Sequence, residues 1–359
     1  MMTADPPVPE TRVLAVASHV VSGHVGNKIA VFAMQALGCD VAALNTVQFS
    51  NHTGYRQWRG TRTSAEEIWD LYEGLKQSYL DNFDMMLSGY VPGAAAVEVV
   101  GRIAEELQAR VVSRPGSFFW VLDPVMGDNG KLYVAQDVVP AYKKLLHHAD
   151  LILPNQFEAE LLSGVKIVNM ATLEEAVQVL HEHFKVPHVV ITSVSFSQPG
   201  HPVSSLSVIG SSMTSTGRAR TFKVVVPAID CYFSGTGDMF GALMVVRMRE
   251  AVARDAAAAE LLQRRAWLSD DHVRAVDLPL ARAAERVLAS MHEVLTKTCQ
   301  GMEAEMKRAG ELLDRRGVTG EEERAKAMHL LKSRSAELRL PRNVHSLRSP
   351  EIEFHAVKI

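Results

Sequence analysis

Residues 12–38, "RVLAVASHVVSGHVGNKIAVFAMQALG", hold the pattern that the rest of the chain repeats. The first part is an apolar run with β-branched residues, which favours an extended strand. "SGHVGN" follows, a glycine loop. From about Asn27 the pattern is helical, and Gly38 is a good stop, since glycine tolerates the left-handed backbone that ends a helix. Strand, glycine loop and helix make the opening of a β-loop-α unit. "DVAALNTVQFS" then begins the next strand.

The alternation continues. "SAEEIWDLYEGLKQSYL" starts with Ser64 and Glu67, the spacing of a reciprocal helix cap. "FDMMLSGY", "FFWVLDPVMGD", "ADLILPN" and "HVVITSV" read as strands. Helices are expected at "AAAVEVVGRIAEELQARV", "FEAELLSG" and "LEEAVQVLHEHF". A less regular β segment is expected over "SSLSVIGSSM" and "TFKVVVPAI", and an edge strand in "PEIEFHAVKI". Near-continuous apolar strands between helices indicate an α/β fold of three layers, α-β-α, around a central, mainly parallel sheet. One catalytic domain is expected over 11–359, after a flexible tail at 1–10. Residues 249–278 read as a surface helical insertion near the nucleotide end of the molecule, and 302–335 as a charged helical segment.

Composition narrows the function. The 359 residues are 47% hydrophobic and 22% charged, an ordinary globular balance. A net charge of −3 argues against a nucleic-acid coat. No apolar run reaches the roughly 20 residues of a membrane span, so no membrane partner is expected, and the N-terminus does not read as a signal peptide. Three scattered cysteines make no metal pattern or disulfide framework, which suits a reducing compartment.

In a parallel sheet the ligand site lies beyond the carboxyl ends of the strands. The residues there are Ser18, Ser50 to Thr53, Gly89 and Tyr90, Asp123 to Asp128, Asn155, Thr192 and Ser193. "GTGD" at Gly235–Asp238 joins a glycine turn to a helix start, where free N–H groups and the helix dipole attract an anion. Asp238 there either caps the helix or accepts a proton. As a carboxylate at a helix N-terminus its pKa is expected to be depressed, so that it takes the proton late. Asp123 and Asp128 bracket a Pro–Gly turn; they suit a hard cation, or simply the turn. Asn155 and Glu158 either cap the helix reciprocally or reach a metal-bound water, and spacing favours the cap. His19 and His24 make no reliable metal pair. "QFSNHTGY" offers polar groups between aromatic walls, as a flat heteroaromatic ligand needs.

"RVLAVASHVVSGHVGN", "VQFSNHTGY", "LSGY", "DPVMGD", "PNQFEAELLSG", "VVITS" and "GTGDMF" together resemble the pyridoxal kinases of the ribokinase-like superfamily. The likeness runs in order from about Arg12 to Arg247 and resumes at "LRLPRNVHSLRSPEI". "QFSNHTGY" and "NQFEAELLSG" mark pyridoxal kinases, whereas "GTGD" belongs to the wider superfamily.

The resemblance implies transfer of the γ-phosphoryl of ATP to the 5′-hydroxyl of pyridoxal, pyridoxine or pyridoxamine. It also implies Mg²⁺ or Zn²⁺, a monovalent cation such as K⁺, and a homodimer. On this likeness Asp238 is the base and Gly235, Thr236 and Gly237 the anion hole. Ser18, Val25, Phe49, His52, Thr53 and Tyr90 hold the ring. Asp123, Asp128, Asn155 and Glu158 form the cation and phosphate region, with Asp128, Glu158 and Asp123 as metal residues. Thr192 and Ser193 meet ATP phosphate, Tyr133 lies in a flap, and Val226 and Ile229 face adenine. Departures are a short flap in "NGKLYV", Leu153 where related sequences often carry threonine, and Ser234 where a larger apolar residue is common. The alternatives are a kinase for hydroxymethylpyrimidine or a sugar, and a non-catalytic vitamer carrier.

Overall fold

The computed structural model describes residues 7–195, 205–315 and 320–359, without the side chains of 309, 310, 312 and 314. Residues 12–38 fold as their sequence requires. Strand β1 (Arg12–Val20) leads through the glycine loop into α1 (Asn27–Ala36). Gly38, at φ 98°, donates its N–H to the Gln35 carbonyl and turns the chain into β2 (Asp40–Phe49). Next come β3 (Gly60–Arg62) and α2 (Ala65–Gln77), whose Ser64–Glu67 capping box forms in both directions.

The repeating unit continues with β4 (Met85–Ser88), α3 (Ala94–Arg110) and β5 (Phe119–Leu122). A two-stranded hairpin, β6 (Gly127–Asp128) and β7 (Lys131–Leu132), then precedes α4 (Val138–Leu145) and β8 (Leu151–Ile152). Helices α5 (Gln156–Ser163) and α6 (Met170–Glu182) lead to β9 (His188–Val194). Strands β10 (Ser205–Met213) and β11 (Ala219–Pro227) follow, then α7 (Thr236–Ala253) and α8 (Ala258–Leu261). The chain ends with α9 (Pro279–Arg315), α10 (Glu321–Ser335), α11 (Val344–Arg348) and β12 (Val357–Lys358).

Among the described residues, ten strands form one sheet in the order β12-β11-β10-β9-β8-β5-β4-β1-β2-β3. The six central ones, β9 to β2 in that order, are parallel, and β3, β10, β11 and β12 pair antiparallel. Alternate side chains feed two cores. Val13, Ala15, Phe119 and Val121 face α1, α7 and α9, whereas Leu14, Val16, Trp120 and Leu122 face α2 to α6. Both faces are therefore dry, which is why these strands read as unbroken apolar runs. The expected three layers are present.

Three expectations change. The β segment expected to be less regular pairs internally as an unbroken nine-residue antiparallel ladder, from Ser205↔Pro227 to Met213↔Ala219, and its one irregularity is a register shift against β9 between Ser207 and Ile209. Residues 249–278 are not a surface insertion: Leu261, Trp267 and Leu278 are buried, and Trp267 stacks on Phe119 with ring centroids 4.2 Å apart. The Trp267 indole donates to the Gly116 carbonyl at 2.8 Å, and the Ala266 carbonyl meets His188 at 2.7 Å. Phe119 and His188 begin their strands, so this segment plugs the amino end of the sheet and not the nucleotide end. The tail at 1–10 lies partly outside the described residues. Within it, Val8 is buried in the core, because an apolar side chain gains by leaving water.

Candidate functional site

Between Ala17 and His19 the β1–β2 register slips, so that Thr46 and Val47 together oppose Ser18. This bulge re-aims the end of β1 at the carboxyl edge of the sheet. Gly26, at φ 54°, packs directly on Ser18, where a side chain has no room. Its backbone N–H lies near the Asp238 carboxylate and favours the charged form. Gly235, at φ 82°, packs its α-carbon on the His24 carbonyl and Val25; a β-carbon there would stand 2.5 Å from that carbonyl oxygen. The glycine loop after β1 and the "GTGD" turn are thus in contact.

The cap of α7 decides between the two readings of Asp238. Gly235 occupies the capping position, and no side-chain cap hydrogen bond is made. Asp238 lies in the first turn, and its carboxylate reaches across to Gly26 and towards Gly89. The pKa expectation is overturned. Burial pushes this carboxyl up, and the Gly26 N–H opposes it only in part. Desolvation of the charged form outweighs the helix dipole.

Asp123 follows β5 and faces Gly237. Burial raises its pKa, and the charges of Glu158 and Asp238 raise it further. Glu158 and Asn155 form the capping box that spacing favoured: Asn155 Oδ1 accepts from Glu158 N at 2.9 Å, and Glu158 Oε2 from Asn155 N at 2.9 Å. Glu158 Oε1 also accepts from Met126 N (2.8 Å) and Gly127 N (3.3 Å). Burial pushes Glu158 up to about 7 despite these bonds. Asn155 Nδ2 donates to the Gly127 carbonyl at 2.7 Å, and Asn155 bridges to Thr192 at the end of β9. Glu158 and Asn155 therefore fasten the "DPVMGD" loop to α5 and to β9.

The expected metal set of Asp128, Glu158 and Asp123 does not assemble. Among the described residues no group of three His, Cys, Asp or Glu side chains is arranged to hold a metal ion. Asp128 is exposed and accepts from Asn129 N (2.7 Å) and Nδ2 (2.9 Å), because its hairpin turns outward. Asp123 does fit a cation: it is a half-buried carboxylate whose charged neighbours are carboxylates.

The ring-binding candidates come together. Val20, Val25, Val47 and Phe49 form a small apolar cluster with Tyr90 against it. The Tyr90 carbonyl accepts from Thr46 Oγ1 at 2.7 Å. His52, buried, caps the turn Thr53–Tyr55 by accepting from Gly54 N at 3.2 Å. Its ring lies 4.7 Å from that of Tyr55, while Thr53 is exposed. Ser234 faces Gly54 from the other side, so this small residue lies beside the ring loop. Leu153 is buried and packs towards Gly241 of α7, so its side chain belongs to the core.

The nucleotide candidates are more dispersed. Ser193 holds a positive φ of 56°, unusual for a side-chain-bearing residue, directly after Thr192. Tyr133 follows the β6–β7 hairpin, is 65% exposed and lies close to Asp128 and Tyr232. The short "NGKLYV" flap is this hairpin. Strand β11 runs in the same direction as β9, so Val226 and Ile229 arrive at the carboxyl edge, both half-buried. The reading of the sequence did not single out Gly26 or Glu337. Glu337 Oε2 accepts from His24 N at 2.6 Å, and nothing in its local sequence marks it.

Known proteins carry the same frame. A family model for phosphomethylpyrimidine kinase matches residues 85–259. A putative pyridoxal kinase of Schizosaccharomyces pombe is 39% identical over 293 residues, 82% of this chain and 87% of the relative. The pyridoxal kinase of Homo sapiens is 34% identical over 358 residues, 97% and 98% of the two chains. The structure of pyridoxal kinase from Leishmania donovani in complex with ADP and pyridoxamine superposes with a TM-score of 0.76 at 29% identity, over 98% of this chain and all of that one. With these identities over most of both chains, and a fold that superposes from end to end, the chain belongs to the pyridoxal kinase family of the ribokinase-like superfamily.

Proposed function

We propose that this protein transfers the γ-phosphoryl group of ATP to the 5′-hydroxyl of pyridoxal, and also of pyridoxine and pyridoxamine. The observation that carries the proposal is the freedom of Asp238. It sits in the first turn of α7 without capping it, beside free helix N–H groups, and is raised in pKa by burial. A carboxylate so placed can accept the hydroxyl proton. The N–H groups at Gly235, Thr236 and Gly237 stabilise charge on the phosphoryl oxygens in flight. Relatives named as pyridoxal kinases, and structures of such enzymes with ADP and pyridoxamine or pyridoxine, support the substrate and the nucleotide.

Phosphoryl transfer depends on alignment and charge neutralisation more than on covalent chemistry. Val25, Phe49, His52 and Tyr90 supply the walls of the pocket around the ring, and Ser18 and Thr53 its polar contacts. Asp123 holds the divalent ion, Mg²⁺ or Zn²⁺, that accompanies ATP and supplies positive charge to its phosphates. Glu158 and Asn155 act by fixing the loop that carries Asp123. Asp128 remains outside that set unless the hairpin folds inward. Thr192 and Ser193 meet phosphate, Tyr133 covers the nucleotide, and Val226 and Ile229 flank adenine. K⁺ or another monovalent ion, a homodimer and a cytoplasmic setting complete the proposal; the three free cysteines support a reducing compartment.

The test is to incubate the purified protein with pyridoxal, ATP, Mg²⁺ and K⁺ and follow pyridoxal 5′-phosphate by absorbance. ATP-dependent product supports the proposal, and its loss in Asp238→Asn assigns the base. The match to the phosphomethylpyrimidine kinase model favours a second reading, in which a hydroxymethylpyrimidine is the acceptor. A substrate panel separates them: turnover of the pyrimidine alone would replace pyridoxal.

A further inference from the structure

Glu337 lies between α10 and α11, more than 280 residues from the ring-binding loops, yet its carboxylate sits on both of them. Oε2 accepts from His24 N at 2.6 Å, in the loop after β1. Oε1 accepts from Tyr55 OH at 3.0 Å and lies 3.2 Å from His52 Nε2, in the loop after β2. The side chain is only 13% exposed. Burial alone would raise its pKa, but the bonds from His52, His24 and Tyr55 prevail and hold it below its ordinary value. Gly23 packs against this carboxylate, with no space for a side chain.

His52 Nδ1 accepts from Gly54 N at 3.2 Å, so the ring's hydrogen is on Nε2, where it points at Glu337. One carboxylate therefore fixes the tautomer and tilt of His52, holds Tyr55 beside it and pins the backbone next to Val25 and Gly26. From α10, His329 Nε2 adds a 3.0 Å bond to the Gly54 carbonyl.

We propose that Glu337 is a positioning residue for the vitamer ring, a carboxylate from the C-terminal segment that holds the His24–Gly26 and His52–Tyr55 loops at the spacing the ring requires. It touches the pocket walls and not the reacting atoms, so it acts on ring binding and not on the chemical step. This rests on the kinase reading above.

The experiment is steady-state kinetics of wild type, Glu337→Gln and Glu337→Ala, varying pyridoxal and ATP separately, with thermal melts as a check on folding. Gln keeps the volume and one acceptor, while Ala removes every bond. The KM for pyridoxal should rise about tenfold in Ala and less in Gln, matching the loss of one or more charge-assisted bonds. The kcat and the KM for ATP should stay within about twofold, as for lost ground-state binding. Arg339→Ala is the control. Arg339 anchors the same turn to Glu305 of α9 at 2.8 Å and lies against Gly301. It should lower the melting temperature with little effect on the pyridoxal KM.

An unchanged pyridoxal KM in folded Glu337→Gln and Glu337→Ala overturns the inference. So does an equal rise in Arg339→Ala, which would make the docked segment and not the carboxylate the cause. If Glu337→Ala does not fold, Glu337→Gln and Tyr55→Phe, which deletes one bond, carry the test alone. A wild type without pyridoxal turnover defeats the kinase reading instead, and direct pyridoxal binding to the same variants then reads Glu337.

Discussion

At the residue scale, the site depends on where each carboxylate spends its oxygens. Asp238 leaves the capping of α7 to Gly235, so it is available for a proton. Asp238→Asn should fold and bind pyridoxal but lose about 10²–10⁴ in kcat, the usual contribution of a positioned general base. The sign of its pH effect follows from burial. Its pKa is raised, so wild-type kcat should fall on the acid side at a pH above the ordinary carboxylate value of about 4. The residual rate of Asp238→Asn should lack that limb. A limb retained in the variant would assign it to another group. Glu158 serves differently, since its two oxygens accept from three backbone N–H groups. Glu158→Gln puts an amide donor where an acceptor is needed. It should cost about 1–3 kcal/mol in urea unfolding, and it should raise the KM for ATP through the loosened loop.

At the element scale, the segment between α7 and α9 behaves as core. Trp267 is 1% exposed, stacked on Phe119 and bonded to the Gly116 carbonyl. Trp267→Ala should destabilise by about 3–5 kcal/mol, the usual cost of emptying a buried aromatic site. Because the plug sits at the opposite end of the sheet, KM and kcat of the surviving folded protein should change by less than about twofold. A large kinetic change without a stability change would mean the two ends are coupled. The alanine-rich, charged sequence around this tryptophan resembles a solvated helix, which explains the expectation of a surface element. Composition averages over a window, whereas the fold turns on the few apolar residues that find a pocket. The long α9 shows a similar effect. Gly301 suggests a break, but the helix continues through it, and the space where a side chain would stand holds the Arg339 guanidinium.

At the scale of the whole molecule, two buried histidines make stability depend on pH. His181 holds the Val186 carbonyl and Ser211 Oγ, and His188 the Ala266 carbonyl and Ser212 Oγ, all at 2.7–2.8 Å. Burial pushes both from 6.5 down to about 4. Above pH 6.5 both are neutral, folded or unfolded, and contribute no pH dependence. As pH falls from 6.5 to 4, the unfolded chain takes up protons that the folded one refuses. Stability then falls by about 1.4 kcal/mol per pH unit per histidine. Asp150 and Glu158, pushed up to about 7, have the opposite sign, for they hold protons in the folded state that the unfolded chain releases. The total curve is therefore flattened, and a difference is needed. The stability of wild type minus that of His188→Gln, from urea unfolding, should decline from pH 6.5 to 4 and be level above 6.5. A level difference throughout would mean that His188 takes up its proton as readily in the fold as in the unfolded chain.

The α/β alternation, the caps at Ser64 and Asn155, the "GTGD" turn and the edge strand were legible along the chain. Each rests on periodicity, turn chemistry or spacing within a few residues. The pairing of those pieces was not. That Gly26 lies against Asp238, that Asp128 turns outward, that Trp267 is buried and that Glu337 reaches His52 all depend on contacts between distant segments. Burial raised the Asp238 pKa where the local helix dipole alone would lower it, since desolvation is a property of everything packed around a group. The sequence settles which chemistry is carried and in what order along the chain; only the packed sheet and its helices decide which groups meet, because side-chain charge and reach are local while burial and proximity are collective.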